Sequence, residues 1–439
     1  MTNLSVWGII KKIYTYIILI FEKGLLTALK YGGIIMKNRI FAAVVSAFVL
    51  CSCTAVSEEA VPAAVSEVTD TEAVTAVTTV ATVETTETTT IVTEPPVVAK
   101  TVTFTALGDN LIHSSIYKQA ARRAEGNGYD FEYAYAGAAD LLDKADITVL
   151  NQETLICNDI FEPSTYPCFN SPVALGDHMA QLGVDVFTIA NNHTLDKGVK
   201  GLSACLDYYD ERGMVRVGAY RDQEDRENIR IVERDGVKVA FLCYTESLNG
   251  LSFPEDTQLQ IGRFDKDTII KEIKAADEIS DICVVSLHWG TENSGVVEDY
   301  QRAAASEFAE AGADVIIGNH PHVLREIEMI ETSDGGQTLC AYSLGNFISA
   351  QSVGTNLIGG VLNFGVTVEE GKENVICDTE FIPIVTHYDG NYSNVRLYKL
   401  SDYTPEMANA HGVRSMSEFD YDYIMEYLES KGLLEFYKE

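Results

Sequence analysis

From residue 101 onward, short apolar runs alternate with stretches whose apolar positions recur every three or four residues, so strands and helices alternate. Thr101 to Leu107 reads as a strand, residues 114–124 as a helix, and Ile147 to Leu150 as a short strand. Val173 to Leu182 reads as a helix, Val184 to Ala190 as a strand, and Leu202 to Arg212 as a helix. Ile229 to Glu233 and Val237 to Tyr244 flank Asp235-Gly236, a hairpin turn signal. Ile269 to Ile279 is a predicted helix, Ile282 to Leu287 a strand, residues 298–311 a helix, and Val315 to Ile317 a strand. A second predicted hairpin pairs Ile327 to Ile330 with Leu339 to Tyr342 through Asp334-Gly335-Gly336. Strands near 357–368 and 376–385 and a helix over 416–430 follow. The alternation predicts an α/β class.

Six apolar runs end in polar clusters. These are Gly108-Asp109-Asn110-Leu111-Ile112-His113, Asn151-Gln152-Glu153-Thr154, Asn191-Asn192-His193-Thr194-Leu195-Asp196, His288-Trp289-Gly290-Thr291-Glu292, Gly318-Asn319-His320-Pro321-His322 and Ser343-Leu344-Gly345-Asn346-Phe347. Five of the eight His lie in them. Imidazoles, carboxylates and an amide oxygen make a ligand set for divalent transition metals. Strand ends are where α/β folds gather such groups from distant parts of the chain. Pro321 between two His predicts an extended bend that turns both rings toward one site or toward two adjacent ions. His193 with Asp196 three residues on reads as an imidazole oriented by a carboxylate. His288, taken alone, reads as a core His, and Asp109 and Glu153 as caps. The cluster around Asn346 shows no chemistry of its own and is expected to shape the wall. His178, His387 and His411 fall outside the pattern and read as structural.

Charge narrows the partners. The 439-residue chain has a formal net charge of −33, which argues against nucleic acid and anionic membrane surfaces. The excess is not confined to a tail, because residues 100–439 hold 26 Lys/Arg against 56 Asp/Glu. A polyanion would need a local cation to be held there.

The N-terminus reads as an address. Met36-Lys37-Asn38-Arg39 is a basic segment, Ile40 to Leu50 is an apolar run too short to span a bilayer, and Leu50-Cys51-Ser52-Cys53 follows. Residues 36–53 thus resemble a bacterial lipoprotein signal peptide with Cys53 as the acylated residue. That places the protein on the outer face of the cell membrane. Residues 1–35 are expected to precede the true start at Met36. Residues 54–100, rich in Thr, Val and Glu and free of aromatic residues, are expected to be a solvated stalk. The folded domain is expected over 101–390, with a C-terminal extension over 391–439. Cys157 and Cys168 flank a loop and either pair as a disulfide or stay free.

In their joint order the six clusters resemble bacterial CapA-type capsule synthesis proteins, named for poly-γ-glutamate biosynthesis, from about Val102 to Pro383. That family is in turn similar to calcineurin-like metallophosphoesterases. The resemblance implies a four-layer αββα sandwich with about two divalent metal ions (Mn, Zn, Fe or Mg). It implies Asp109, Glu153, Asn192, His288, His320 and His322 as metal ligands, and His193 as the acid near the leaving group, with Asp196 behind it. The family's phosphoesterase relatives have Asp-x-His at the first cluster. Here the His falls at 113, outside the implied ligand set, and a Glu at 153 replaces their bridging Asp. The implied function is synthesis, export or anchoring of an anionic envelope polymer such as poly-γ-glutamate, through hydrolase or transferase chemistry. The implied partners are that polymer, membrane synthase or export subunits, and the membrane through a lipid anchor. A non-catalytic, metal-dependent polymer-binding subunit and a general metallophosphodiesterase are the alternatives.

Overall fold

The computed structural model describes residues 99–437. The expected start, signal peptide and nearly all of the stalk lie outside the described residues. Sixteen strands follow in chain order: β1 (Lys100–Asn110), β2 (Ile147–Asn151), β3 (Val186–Thr188), β4 (Val215–Val217), β5 (Ala219–Tyr220), β6 (Arg230–Arg234), β7 (Val237–Thr245), β8 (Gln260–Ile261), β9 (Ile282–His288), β10 (Val315–Asn319), β11 (Ile327–Glu331), β12 (Gln337–Ala341), β13 (Asn346–Ile348), β14 (Ile358–Val368), β15 (Val375–Asp389) and β16 (Ser393–Lys399).

Two sheets carry the architecture. The eight-stranded sheet runs β16-β15-β14-β1-β2-β3-β4, with β13 joined to β1. The six-stranded sheet runs β11-β12-β10-β9-β7-β6. β1 to β4 are parallel in the first sheet, and β7, β9, β10 and β12 in the second. Both expected hairpins form, β6–β7 and β11–β12, one at each edge of the second sheet.

Side-chain alternation defines the layers. Val239, Phe241, Cys243, Ile282, Val284, Val315, Ile317, Leu339 and Ala341 point from the six-stranded sheet into a core shared with the eight-stranded one. Their neighbours Ala240, Leu242, Val285, Leu287, Ile316 and Tyr342 point the other way. There they meet Ile269 and Ile273 of the helix Lys266–Asp277 and Ala305 and Phe308 of the helix Asp299–Ala309. Helices Ser114–Arg123 and Gly198–Glu211 pack on the eight-stranded sheet at β16 and β4. The expected αββα order is therefore present. The sheet continues past 390, because β16 pairs with β15. The helix Tyr421–Ser430 buries Ile424 and Leu428 in the shared core.

Parallel strands buried on both faces are mostly apolar along their length, so most of their polar groups gather at the ends. At the N-terminal ends four Asp cap the neighbouring strand. Asp146 accepts from Thr103 N at 2.9 Å, Asp185 from Thr148 N at 2.9 Å, Asp281 from Lys238 N at 2.7 Å, and Asp314 from Cys283 N at 2.7 Å. The C-terminal ends of β1, β2, β9 and β10 carry Asp109, Asn151, His288 and Asn319, and these edges of the two sheets meet.

Candidate metal centre

Asn151 joins the sheets. Its Nδ2 donates to Asp109 Oδ1 at 2.6 Å and lies 3.4 Å from His288 Nδ1. Around that contact the implied ligands fall into two groups that share Glu153. In one, His322 Nδ1 lies 3.1 Å from Asp109 Oδ2 and 3.6 Å from Glu153 Oε2. In the other, His288 Nε2 lies 3.1 Å from Asn192 Oδ1, 3.1 Å from His320 Nδ1 and 3.7 Å from Glu153 Oε1. All six residues implied by the sequence meet at one place, each almost wholly withdrawn from solvent except His320, which is half-buried.

Glu153 is the informative member. It is fully buried, and neither carboxylate oxygen has a hydrogen-bond partner. A buried carboxylate left this way is costly unless a cation is at hand. Burial pushes its carboxyl well above the usual range, with the His322 charge opposing. Asp109, Glu153 and His322 place oxygen, oxygen and nitrogen within 4.8 Å of one another, so these three can hold a metal ion. Burial drives His288 well below its ordinary value and His320 down to about 4, which keeps both neutral and able to give a lone pair. Burial also opposes charge on His322, but the Glu153 and Asp109 carboxylates outweigh it and raise the ring to about 9. Divalent cations between these carboxylates and imidazoles would satisfy them. The donor set fits a metal.

Local backbone holds the rings. His320 and His322 take φ of 96° and 59°, left-handed values that side chains with a Cβ rarely adopt. The extended bend expected around Pro321 is thus replaced by a strained turn. Such strain persists where surrounding bonds enforce it, and here His320 N donates to Asp109 Oδ2 at 3.2 Å. Beneath the carboxylates runs a closed buried network. Tyr135 donates to Asn110 Oδ1 at 2.7 Å, Asn110 Nδ2 to Gln152 Oε1 at 2.7 Å, and Gln152 Nε2 to Thr154 O at 2.9 Å. Asn110 follows Asp109 and Gln152 precedes Glu153, so this network fixes the spacing of the two carboxylates. Sequence reasoning missed it, since amides beside ligands look like ordinary turn residues.

His193 and Asp196 stand at the edge of the centre. Their Nδ1 and Oδ2 are 2.7 Å apart, and Asp196 Oδ2 also accepts from Phe169 N at 2.6 Å. The Phe169 ring meets His193 edge-on, with centroids 4.7 Å apart. The imidazole is held from two sides, with Nδ1 donating and Nε2 left for other partners.

His113 Nδ1 faces Leu111 O and Ala350 N, each at 3.2 Å. Asn346 departs from the expectation of a passive wall. Its Oδ1 lies 3.1 Å from His322 Nδ1, inside the first group. Its motif is built for close approach, because a Cβ on Gly108 would sit 2.0 Å from Gly345 O. Only a glycine lets β1 and β13 meet there. Glu292 lies half exposed, with Oε1 3.8 Å from His322 Nε2. His387 and His411 pack with Tyr388, Tyr403 and Phe419 away from the centre, as structural residues. Cys157 and Cys168 are free thiols, the first buried and the second exposed.

The bacterial capsule synthesis protein PGA_cap family matches residues 103–351. The capsule biosynthesis protein CapA of Bacillus anthracis is 33% identical over 175 residues, 39% of this chain and 41% of the relative. The PGA biosynthesis protein CapA of Bacillus subtilis is 35% identical over 175 residues, 39% of this chain and 44% of the relative. The matched region thus spans less than half the length of either relative. Among solved structures, the calcineurin-like phosphoesterase YfkN from Bacillus subtilis aligns over 76% of this chain and 97% of its own, at 12% identity and a TM-score of 0.37. With its clusters, their order and the matched region in agreement, this chain belongs to the bacterial capsule synthesis protein family PGA_cap.

Proposed function

We propose that this protein is a metal-dependent hydrolase or transferase acting on an anionic envelope polymer of the poly-γ-glutamate kind, or on its precursor, during synthesis, export or anchoring. The carrying observation is the Glu153 carboxylate, buried without a hydrogen bond between His322 on one side and His288 on the other. The family and the names of the CapA relatives support the polymer. The acidic domain supports a metal-mediated hold on it, since a polyanion is otherwise repelled.

Asp109, Glu153 and His322 would hold one ion, and Glu153, Asn192, His288 and His320 a second. Such a pair would supply Lewis-acid polarisation and activate water as the nucleophile. The chain's own residues do the rest. Asn151 orients Asp109, and the strained turn at 320–322 presents both imidazoles. His193 would donate a proton from Nε2 to the leaving group, and Asp196, accepting from Nδ1, orients the ring and balances its positive charge until that proton leaves. Phe169 keeps that ring from rotating and shields it from water.

Cys53 supports an extracytoplasmic, lipid-anchored location, with membrane synthase or export subunits as partners. The reading is tested by incubating purified protein with γ-glutamyl polymer and with phosphodiester substrates, with and without Mn²⁺ or Zn²⁺. Metal-dependent cleavage or transfer is the expected result. Metal-dependent polymer binding without turnover would make the protein a binding subunit, and cleavage of phosphodiesters alone would detach it from the polymer.

A further inference from the structure

Asn346 is a buried amide at the centre that none of the roles above employs. We propose that Asn346 Oδ1 is a protein ligand of the ion held by Asp109, Glu153 and His322, which it completes as a four-donor set. The inference rests on the metal reading above.

Its orientation is fixed from behind. Nδ2 of Asn346 donates to Gln351 Oε1 at 2.8 Å and to Asn356 O at 2.8 Å, and faces Ser349 Oγ at 3.2 Å. Turning the amide over would set its oxygen against the Asn356 carbonyl, which cannot donate. Oδ1 therefore has one direction available, toward the His322 ring at 3.1 Å.

There it meets a shortage of protons. His322 Nδ1 lies 3.1 Å from Asp109 Oδ2 and 3.1 Å from Asn346 Oδ1, so two acceptors face one nitrogen. A single N–H serves both poorly. Once Nδ1 gives its lone pair to a cation, neither oxygen has a proton to accept, and both face the cation.

The strand pairing delivers this geometry. Asp109 and Asn346 are register partners on parallel β1 and β13, and Asp109 N donates to Gly345 O at 2.9 Å. Asp109, Glu153 and His322 supply three donors. Divalent ions of this class take four or more ligands, and an amide oxygen is a suitable fourth.

The test is metal titration of the full protein by competition with a chromogenic chelator, using Mn²⁺ and Zn²⁺. Wild type, Asn346→Ala and Asn346→Asp are compared, each first checked by thermal melting without metal. Asn346→Ala should weaken one ion about 10–100-fold and leave the other unchanged. Asn346→Asp, which keeps an oxygen, should restore most of that loss. Wild-type affinity for both ions in Asn346→Ala overturns the proposal. If either variant fails to fold, metal-soaked wild-type crystals decide it. Anomalous density about 2.0–2.5 Å from Asn346 Oδ1 supports ligation, and a nearest ion beyond about 3 Å rejects it. Wild-type protein that takes up no ion at all defeats the metal reading itself, so the two failures are told apart.

Discussion

Asp109 and Asn346 lie opposite each other on adjacent parallel strands, and each puts an oxygen 3.1 Å from the same nitrogen, Nδ1 of His322. The two are 237 positions apart in sequence. What brings them together is a change of partner along β1. Its first eight residues pair antiparallel with β14, and from Asp109 it pairs parallel with β13. The metal centre sits at that change of partner.

The buried network below the carboxylates is expected to matter for both stability and metal. Tyr135→Phe removes the donor to Asn110 Oδ1 inside a closed polar chain. It should cost about 1–3 kcal/mol in chemical denaturation. It should also weaken metal binding, because Asn110 and Gln152 set the spacing of Asp109 and Glu153. Unchanged stability together with unchanged metal affinity would remove the network from the account.

His193→Ala should keep both ions and slow turnover by about 10²–10⁴-fold. Asp196→Asn should do less, since it orients and charges the ring without transferring the proton. Metal content and turnover measured on the same preparations separate the two roles. Loss of metal from His193→Ala would make His193 a ligand.

Acid should loosen the C-terminal part of the domain. His411 Nδ1 accepts from Val413 N at 2.9 Å, and its Nε2 donates to Thr386 O at 3.0 Å, which fixes the ring as neutral. Burial lowers it to about 4, helped by nearby His387 and opposed by the Thr386 carbonyl and Asp389. The unfolded chain, with an ordinary His near 6.5, binds more protons than the folded one between these values. Stability is therefore full above about pH 6.5 and falls as the pH drops toward about 4. Denaturation of His411→Gln across that range should show a shallower fall than wild type, from a lower starting point. Parallel curves would exclude His411 as the source.

Much of the site was legible because its residues follow apolar runs, and parallel strands release side chains at their C-terminal ends. Placement marked the clusters, the resemblance carried by their joint order named Asp109, Glu153, Asn192, His288, His320 and His322 as ligands, and these six meet. Asn346 was not legible, because its part depends on β13 pairing with a strand more than 200 residues away and on a glycine contact that no local pattern announces. The turn at 320–322 was misjudged for a related reason. Pro321 favours extended backbone locally, but bonds from Asp109 hold the turn in a left-handed form. β4 is only three residues long, and the places of β4 and β16 in the sheet come from packing against Gly198–Glu211 and pairing with β15. The four capping Asp were hidden because an acid before an apolar run looks like any loop residue until the neighbouring strand's N–H is in view.

The central claim is that the clusters hold metal, and metal content is its most direct measure. Purified wild-type protein and a His320→Ala/His322→Ala variant, matched for folding by circular dichroism, should be analysed for transition metals after dialysis. The account predicts about two divalent ions per wild-type chain and a loss of most of that metal from a variant that stays folded. Equal metal content in the two proteins, or none in either after loading with Mn²⁺ and Zn²⁺, would contradict it.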